Sequence, residues 1–369
     1  MPNTHRAILI TYPFEQAEKE ATSLADAAGY SVQRIVNQSH INRSRYGVGK
    51  GKAEEVKQLV DRERPEVIIF DEVLKPSQQY NLASLCKVEI IDRERLILQI
   101  FERRASTAES RIQIKLAQLR YDIIRAREKV RLAKVGEQPG FFGMGKYDAD
   151  IYFLDIRKRA TVLKKKLQKE EVMRNLYRIQ RSRAGLPSVS IAGYTCAGKT
   201  SLFNSLTGES KTVGRGMFTT LSTFTRLVES RTSKILVSDT VGFINRLPTY
   251  MIDAFKSTLH ELSYSALVLL VIDISEPVEE IRRKLSSSIQ VMGELGVALT
   301  KVLYCLNKVD LTDVEEAREK FDRLGLQKSP QYVLHVSAKT GYNIEMLKDL
   351  MKSLVLNEHK PLVGEVKST

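Results

Sequence analysis

Residues Ser188-Val189-Ser190-Ile191-Ala192-Gly193-Tyr194-Thr195-Cys196-Ala197-Gly198-Lys199-Thr200-Ser201-Leu202-Phe203-Asn204-Ser205-Leu206 decide the fold. Ser188 to Ala192 has the pattern of a buried strand, and a helical pattern begins at Lys199. Between them stands Gly-x4-Gly-Lys-Thr, which in a strand–loop–helix context is a phosphate-binding loop. Glycines let successive backbone N–H groups turn inward on phosphate oxygens, and the helix N-terminus adds its positive dipole. The spacing places Gly193, Tyr194, Thr195, Cys196, Ala197, Gly198, Lys199, Thr200 and Ser201 around the nucleotide. Lys199 reaches the β and γ phosphates, and the Thr200 hydroxyl ligates Mg²⁺.

Downstream of this loop come the elements a guanine-nucleotide hydrolase needs, in order. Lys234 to Ser238 reads as a strand ending in Asp239-Thr240-Val241-Gly242, where Asp239 holds Mg²⁺ through water and the Gly242 N–H senses the γ-phosphate. Leu303 to Leu306 leads into Asn307-Lys308-Val309-Asp310; the Asp310 carboxylate can accept from guanine N1–H and N2–H₂, which adenine does not offer. Asn307 and Lys308 tie this loop to the phosphate-binding loop and cover the base. Val333 to Val336 ends in Ser337-Ala338-Lys339, a loop that closes over guanine O6 with a backbone N–H. Between Thr200 and Asp239, the segment Gly214 to Leu221 has the Gly- and Thr-rich make-up of a nucleotide-sensing switch, with Phe218, Thr219 and Thr220 beside the ligand. After Gly242 stands Phe243, which can neither donate nor accept a hydrogen bond, so hydrolysis is expected to be slow until something else positions the attacking water.

The rest of the composition narrows the partners. The chain has 369 residues, with Lys+Arg 58 against Asp+Glu 44, a formal net charge of +14. That excess points to a polyanion, with nucleic acid ahead of an anionic membrane surface. The longest apolar stretch, Ala266 to Ile272, is far shorter than the roughly 20 residues a bilayer requires. No secretory signal is visible at the start, and Cys86, Cys196 and Cys305 lack metal-ligand spacing, so a reduced cytoplasmic protein is expected.

Ala7 to Ile10, Ser31 to Val36, Val67 to Phe70 and Val88 to Ile91 are strand-like and alternate with helical patterns, which predicts a small α/β domain over 1–101 with a largely parallel sheet. From Glu102 to Lys134 the chain lacks Gly and Pro and is rich in Lys and Arg, predicting one long basic helix. A Gly-rich interruption follows, then a second basic helix from about Ile151 to Arg183. Together they predict a basic helical hairpin over 102–184. A charge-rich helix is ordinarily a solvated face; two long ones side by side also suit phosphate backbones. The nucleotide-binding domain is expected over 185–356, with a mixed, mostly parallel α/β sheet, and 357–369 reads as a tail.

With these motifs in place, the chain resembles the HflX family of ribosome-associated GTPases. The resemblance rests on Tyr46-Gly47-Val48-Gly49-Lys50-Gly51-Lys52, on Val67 to Glu72 with Pro76 to Leu82, on Ile91 to Phe101, and on Arg103-Arg104-Ala105. The family's Phe-x-Thr-Leu switch aligns on Phe218 to Leu221, which favours Thr220 as the switch threonine that ligates Mg²⁺ with Thr200 and Asp239. It implies catalytic roles for Lys199, Thr220 and Gly242. Two departures stand out. Cys196 occupies a position usually held by Asn, and a thiol is a poor ligand for a hard cation, so weak or absent potassium stimulation is expected. The hairpin turn carries Gly143-Met144-Gly145-Lys146-Tyr147-Asp148 in place of Gly-Pro-Gly-Glu.

The resemblance implies GTP hydrolysis and docking on the large ribosomal subunit and its rRNA, as a splitting, rescue or quality-control factor, with no stable oligomer implied. The alternative is a GTP-dependent switch that recruits a protein or RNA partner, hydrolysis only resetting it. A third reading, an RNA-remodelling ATPase acting through the first domain, lacks a second phosphate-binding loop. The Gly47 to Lys52 loop stays open between a surface turn, an RNA phosphate contact and a second nucleotide pocket.

Overall fold

The computed structural model describes residues 5–40, 45–135, 146–210, 217–218, 224–229, 234–246, 248, 250–251, 256–325 and 332–356. It divides into two compact units. The first comprises 1–172 with 216–218 and 248–254; the second holds 173–215, 219–247 and 255–369.

In the first unit β1 (His5–Thr11), β2 (Tyr30–Asn37), β3 (Val67–Phe70) and β4 (Glu89–Asp92) form a sheet of order β2-β1-β3-β4 in which every pairing is parallel. Helices α1 (Glu15–Ala27), α2 (Lys50–Glu63), α3 (Pro76–Cys86) and α4 (Arg93–Arg104) connect and follow the strands, the right outcome for alternating β-branched runs and helical patterns. The core contains Ile8, Ile10, Val36, Val56, Ile68, Phe70 and Leu82, all buried.

The expected single helix from Glu102 is two. Helix α4 ends at Arg104, Ala105 is extended, and α5 (Ala108–Val135) begins afresh. The physical reason is a reciprocal cap: the Ser110 N–H donates to Thr107 Oγ1 at 3.1 Å and the Thr107 N–H donates to Ser110 Oγ at 3.2 Å, satisfying donors that a new helix start leaves open. The expected hairpin is present. Leu116, Leu119 and Ile123 of α5 pack with Ile156, Ala160, Leu163 and Leu167 of α6 (Lys146–Arg183). The 38 residues of α6 correspond to a rod of about 57 Å. The hairpin turn before Lys146 lies outside the described residues, as does the tail after Leu356.

The α5 helix is anchored to its sheet by charge. Asp92 ends β4 and caps α4 by accepting from the Arg95 N–H at 2.9 Å; it also accepts from Tyr121 Oη at 3.0 Å and from the Arg125 guanidinium, which lies 3.4 Å over the Tyr121 ring. Beside it Arg93, fully buried, pairs with Asp71 and Glu20. Ions this deep persist only when paired and hydrogen-bonded.

In the second unit β5 (Ser188–Gly193), β6 (Phe224–Glu229), β7 (Lys234–Asp239), β8 (Leu267–Asp273), β9 (Val302–Asn307) and β10 (Tyr332–His335) form a sheet of order β10-β9-β8-β5-β7-β6. All pairings are parallel except β6 with β7, which gives the mixed, mostly parallel sheet expected. Around it run α7 (Lys199–Thr207), α8 (Lys256–Tyr264), α9 (Val278–Glu294), α10 (Val314–Arg323) and α11 (Ile344–Leu356). Val189, Ile191, Val237, Leu269 and Leu303 are buried beneath Leu202, Phe203 and Leu347. Helices fill the connections between parallel strands, so the loops after the strand C-termini gather at one edge, the usual ligand edge of such a sheet. Among the described residues, no helix is long and apolar enough to cross a membrane.

Candidate active site

At that edge, β5 runs into the loop 194–198 and then α7. Two glycines hold left-handed backbone that only glycine adopts without strain: Gly193 at φ +142, where a Cβ would lie 2.4 Å from the Val271 carbonyl oxygen, and Gly198 at φ +95, where it would lie 2.3 Å from Asn307 Nδ2. Cys196 lies between them, exposed and also left-handed at φ +64.

Lys199 is buried, and its Nζ donates to the Tyr194 carbonyl oxygen at 2.6 Å. Loss of solvent pushes its pKa down to about 8 against the pull of Asp239. A phosphate oxygen in place of that carbonyl supplies the negative partner such a desolvated ammonium lacks. The Thr200 hydroxyl donates to Asp239 Oδ2 at 3.1 Å, and both residues are buried. Two hard oxygen donors side by side beside a phosphate loop suit a hard divalent cation that also takes ligand oxygens and waters. Among the described residues no cluster of three His, Cys, Asp or Glu could hold a metal alone. Thr195 Oγ1 is buried without a hydrogen-bond partner among the described residues.

The segment after Asp239 is fixed to the phosphate loop by backbone. The Thr240 hydroxyl donates to the Ile191 carbonyl at 2.7 Å, the Phe243 N–H donates to the Gly193 carbonyl at 3.0 Å, and the Thr195 N–H donates to the Phe243 carbonyl at 2.8 Å. Val241 and Phe243 are buried, so the Phe243 ring is a packing group and offers nothing to a water. A Cβ on Gly242 would sit 2.7 Å from Lys199 Nζ and 3.2 Å from Thr195 Cα, so this glycine leaves room for the lysine to pass.

The guanine motifs converge on Asn307. Its Nδ2 donates to the Ala197 carbonyl at 2.9 Å, and its Oδ1 accepts from the Ala338 N–H at 3.0 Å, so one amide joins the phosphate loop to the Ser337-Ala338-Lys339 loop. Asp310 Oδ1 accepts from the Ser337 hydroxyl at 2.6 Å, which orients the carboxylate expected to read the base. Lys308, left-handed at φ +69, reaches back to pair with Asp273 at the end of β8. Lys339 is exposed at the loop.

Three contributors escaped the sequence reading: Asp273, which holds Lys308; Ser205, whose hydroxyl donates to the Ala338 carbonyl at 2.7 Å; and the Phe243 backbone. Phe218, expected beside the nucleotide, is buried in the first unit with its ring edge-on to Phe101 at 4.8 Å. Thr219 and Thr220 lie outside the described residues.

Comparison with known proteins agrees with this geometry. Residues 15–102 match the family described as GTP-binding GTPase N-terminal, 104–181 the GTP-binding GTPase Middle Region, and 188–308 the 50S ribosome-binding GTPase. The chain is 41% identical to the GTPase HflX of Thermococcus kodakarensis, covering 91% of this chain and 77% of that one. It is 33% identical to the Escherichia coli GTPase HflX, covering 93% and 81%. A GTP-binding protein from Sulfolobus solfataricus, solved in complex with GDP, is similar over 96% of this chain and 99% of that one at 28% identity and a TM-score of 0.52. The protein binds guanine nucleotides and hydrolyses GTP. The chain belongs to the HflX family of GTPases.

Proposed function

We propose that this GTPase associates with the ribosome through the large subunit, using its N-terminal α/β domain and basic hairpin, and that it acts as a splitting, rescue or quality-control factor. The observation that carries the reading is the match of 188–308 to a 50S ribosome-binding GTPase in a chain of net charge +14, for which rRNA is the complementary polyanion. In this reading Thr200, Asp239 and Thr220 would hold Mg²⁺, which would supply positive charge to offset that of the phosphates. Lys199 stabilises charge developing on those phosphates, the Gly242 N–H senses the γ-phosphate, and Asp310 selects guanine. Residues Gly193 to Ser201 cradle the phosphates, and Ser337, Ala338 and Lys339 close over the base. Hydrolysis is slow in isolation because Phe243 is buried and apolar where a water-orienting side chain is needed.

Co-sedimentation with purified ribosomal subunits tests this. Retention on large subunits with a non-hydrolysable GTP analogue, and weaker retention with GDP, is the expected result. Equal retention in both nucleotide states, or none, overturns it.

A further inference from the structure

At the opposite edge of the second unit's sheet, before the N-terminal ends of β5, β8 and β9, lies a cleft of about 520 Å³, the size of a small-ligand site. Arg178 and Arg181 from the end of α6 and Lys301 before β9 stand around it, and Glu261 of α8 is its acidic member. The floor is apolar, with Leu186 and Pro187 among its residues. The arginines are held in place without being saturated. Their approaches to Glu261, at 3.9 and 3.7 Å, are longer than hydrogen bonds, and Arg178 Nε is buried with no hydrogen-bond partner among the described residues. The Arg178 guanidinium lies 3.5 Å over the ring of Tyr264, itself half exposed, and its Nη1 donates to Asn175 at 2.9 Å.

We propose that this cleft is an RNA-binding site that takes a phosphodiester on Arg178, Arg181 and Lys301, with an unstacked base against Tyr264 and Pro187. Guanidinium forks with open donors match phosphate oxygens, and an exposed aromatic ring beside them is the pairing that captures single-stranded RNA. Three cations against one carboxylate leave a local excess of positive charge. The cleft opens at the C-terminal end of α6, where the exposed Arg183, in the same unit, adds a further cation and favours an extended polyanion over a lone phosphate. The proposal rests on the ribosome-associated reading but names a surface in the GTPase unit, away from the nucleotide loops, that the reading does not require.

The test is equilibrium binding of a fluorescent ten-nucleotide single-stranded RNA to the full chain at fixed salt, with GDP affinity as the folding control. Lys301→Glu disturbs no contact to Glu261, and Arg178→Gln with Arg181→Gln removes the forks. Each variant is expected to weaken RNA binding by about fivefold or more and to lower the salt slope by roughly one per cation removed, with GDP affinity unchanged. Ultraviolet cross-linking of the same RNA carrying 4-thiouridine is expected to label Tyr264. RNA affinity within twofold of the parent in both variants, no RNA binding by the parent, or competition by AMP as effective as by the oligonucleotide, overturns the proposal. Co-sedimentation with subunits separates the two readings: retained ribosome binding with unaltered RNA affinity in the variants removes the cleft alone.

Discussion

We propose that the Asp310 carboxylate decides between guanine and adenine. Its orientation is set by the Ser337 hydroxyl at 2.6 Å, leaving acceptor capacity toward guanine N1–H and N2–H₂. Hydrogen bonds to a charged group contribute about 1.5–3 kcal/mol each, so Asp310→Ala is expected to weaken GTP binding by roughly a hundredfold or more in a titration, with the fold intact by circular dichroism. Cys196 is proposed to set a different property, the response to monovalent cations. It is exposed and left-handed, and its thiol is a poor ligand for potassium, so hydrolysis rates in potassium and sodium are expected to agree within about twofold. Cys196→Asn supplies an amide oxygen in a residue that tolerates left-handed backbone, and is expected to introduce potassium stimulation. A severalfold potassium preference in the parent protein contradicts this account.

At the scale of elements, α4 joins chemistry to packing. Glu94, in its first turn, is pushed up to about 7 by burial and by the neighbouring Asp92 carboxylate, against the pull of Arg125. The folded state therefore holds this proton more tightly than the unfolded chain, and the stability it brings is full below pH 4.5 and lost as pH rises through 7. After allowance for partial exposure the change is roughly 2 kcal/mol. Calorimetry of the full chain is expected to show Glu94→Gln raising the unfolding midpoint at pH 8 and removing much of the loss of stability between pH 5 and pH 8; an unchanged profile argues against a buried, protonated Glu94.

The same helix shows what a sequence makes legible. The block Ile91 to Phe101 is recognisable as a family signature, but that Arg93 is fully buried between Asp71 and Glu20 follows from pairings 22 and 73 residues apart, which no local periodicity encodes. The break between α4 and α5 did have a local signal. Ser106-x-x-Glu109 and the Thr107–Ser110 pair are helix-start chemistry inside a run that composition alone reads as continuous.

Over the whole molecule, the nucleotide site was legible because its requirements are local: a glycine turn, a lysine and a threonine at fixed spacing, an aspartate at a strand end. The tie from Asn307 to the phosphate-binding loop, expected from the sequence, is present at Ala197, whereas Lys308 pairs with Asp273 instead of reaching that loop. The Asn307 bond to Ala338, the Lys308–Asp273 pair and the Ser205 bond to Ala338 had no local signal, because they are made by strand order, which brings β5, β8 and β9 side by side. No local pattern signals that 216–218, within the Gly214 to Leu221 segment, and 248–254 belong to the first compact unit. In that unit Phe218 meets Phe101, and Arg120 Nη1 donates to the Tyr250 carbonyl at 3.3 Å.

We propose a guanine-specific hydrolase whose water positioning is completed by a ribosomal partner. Steady-state hydrolysis of GTP and of ATP, with and without purified large ribosomal subunits at fixed salt, tests it most directly. Slow GTP turnover that rises at least tenfold with large subunits, with no corresponding rise for ATP, is the result expected. GTP turnover that is unchanged by large subunits despite tight GTP binding contradicts it.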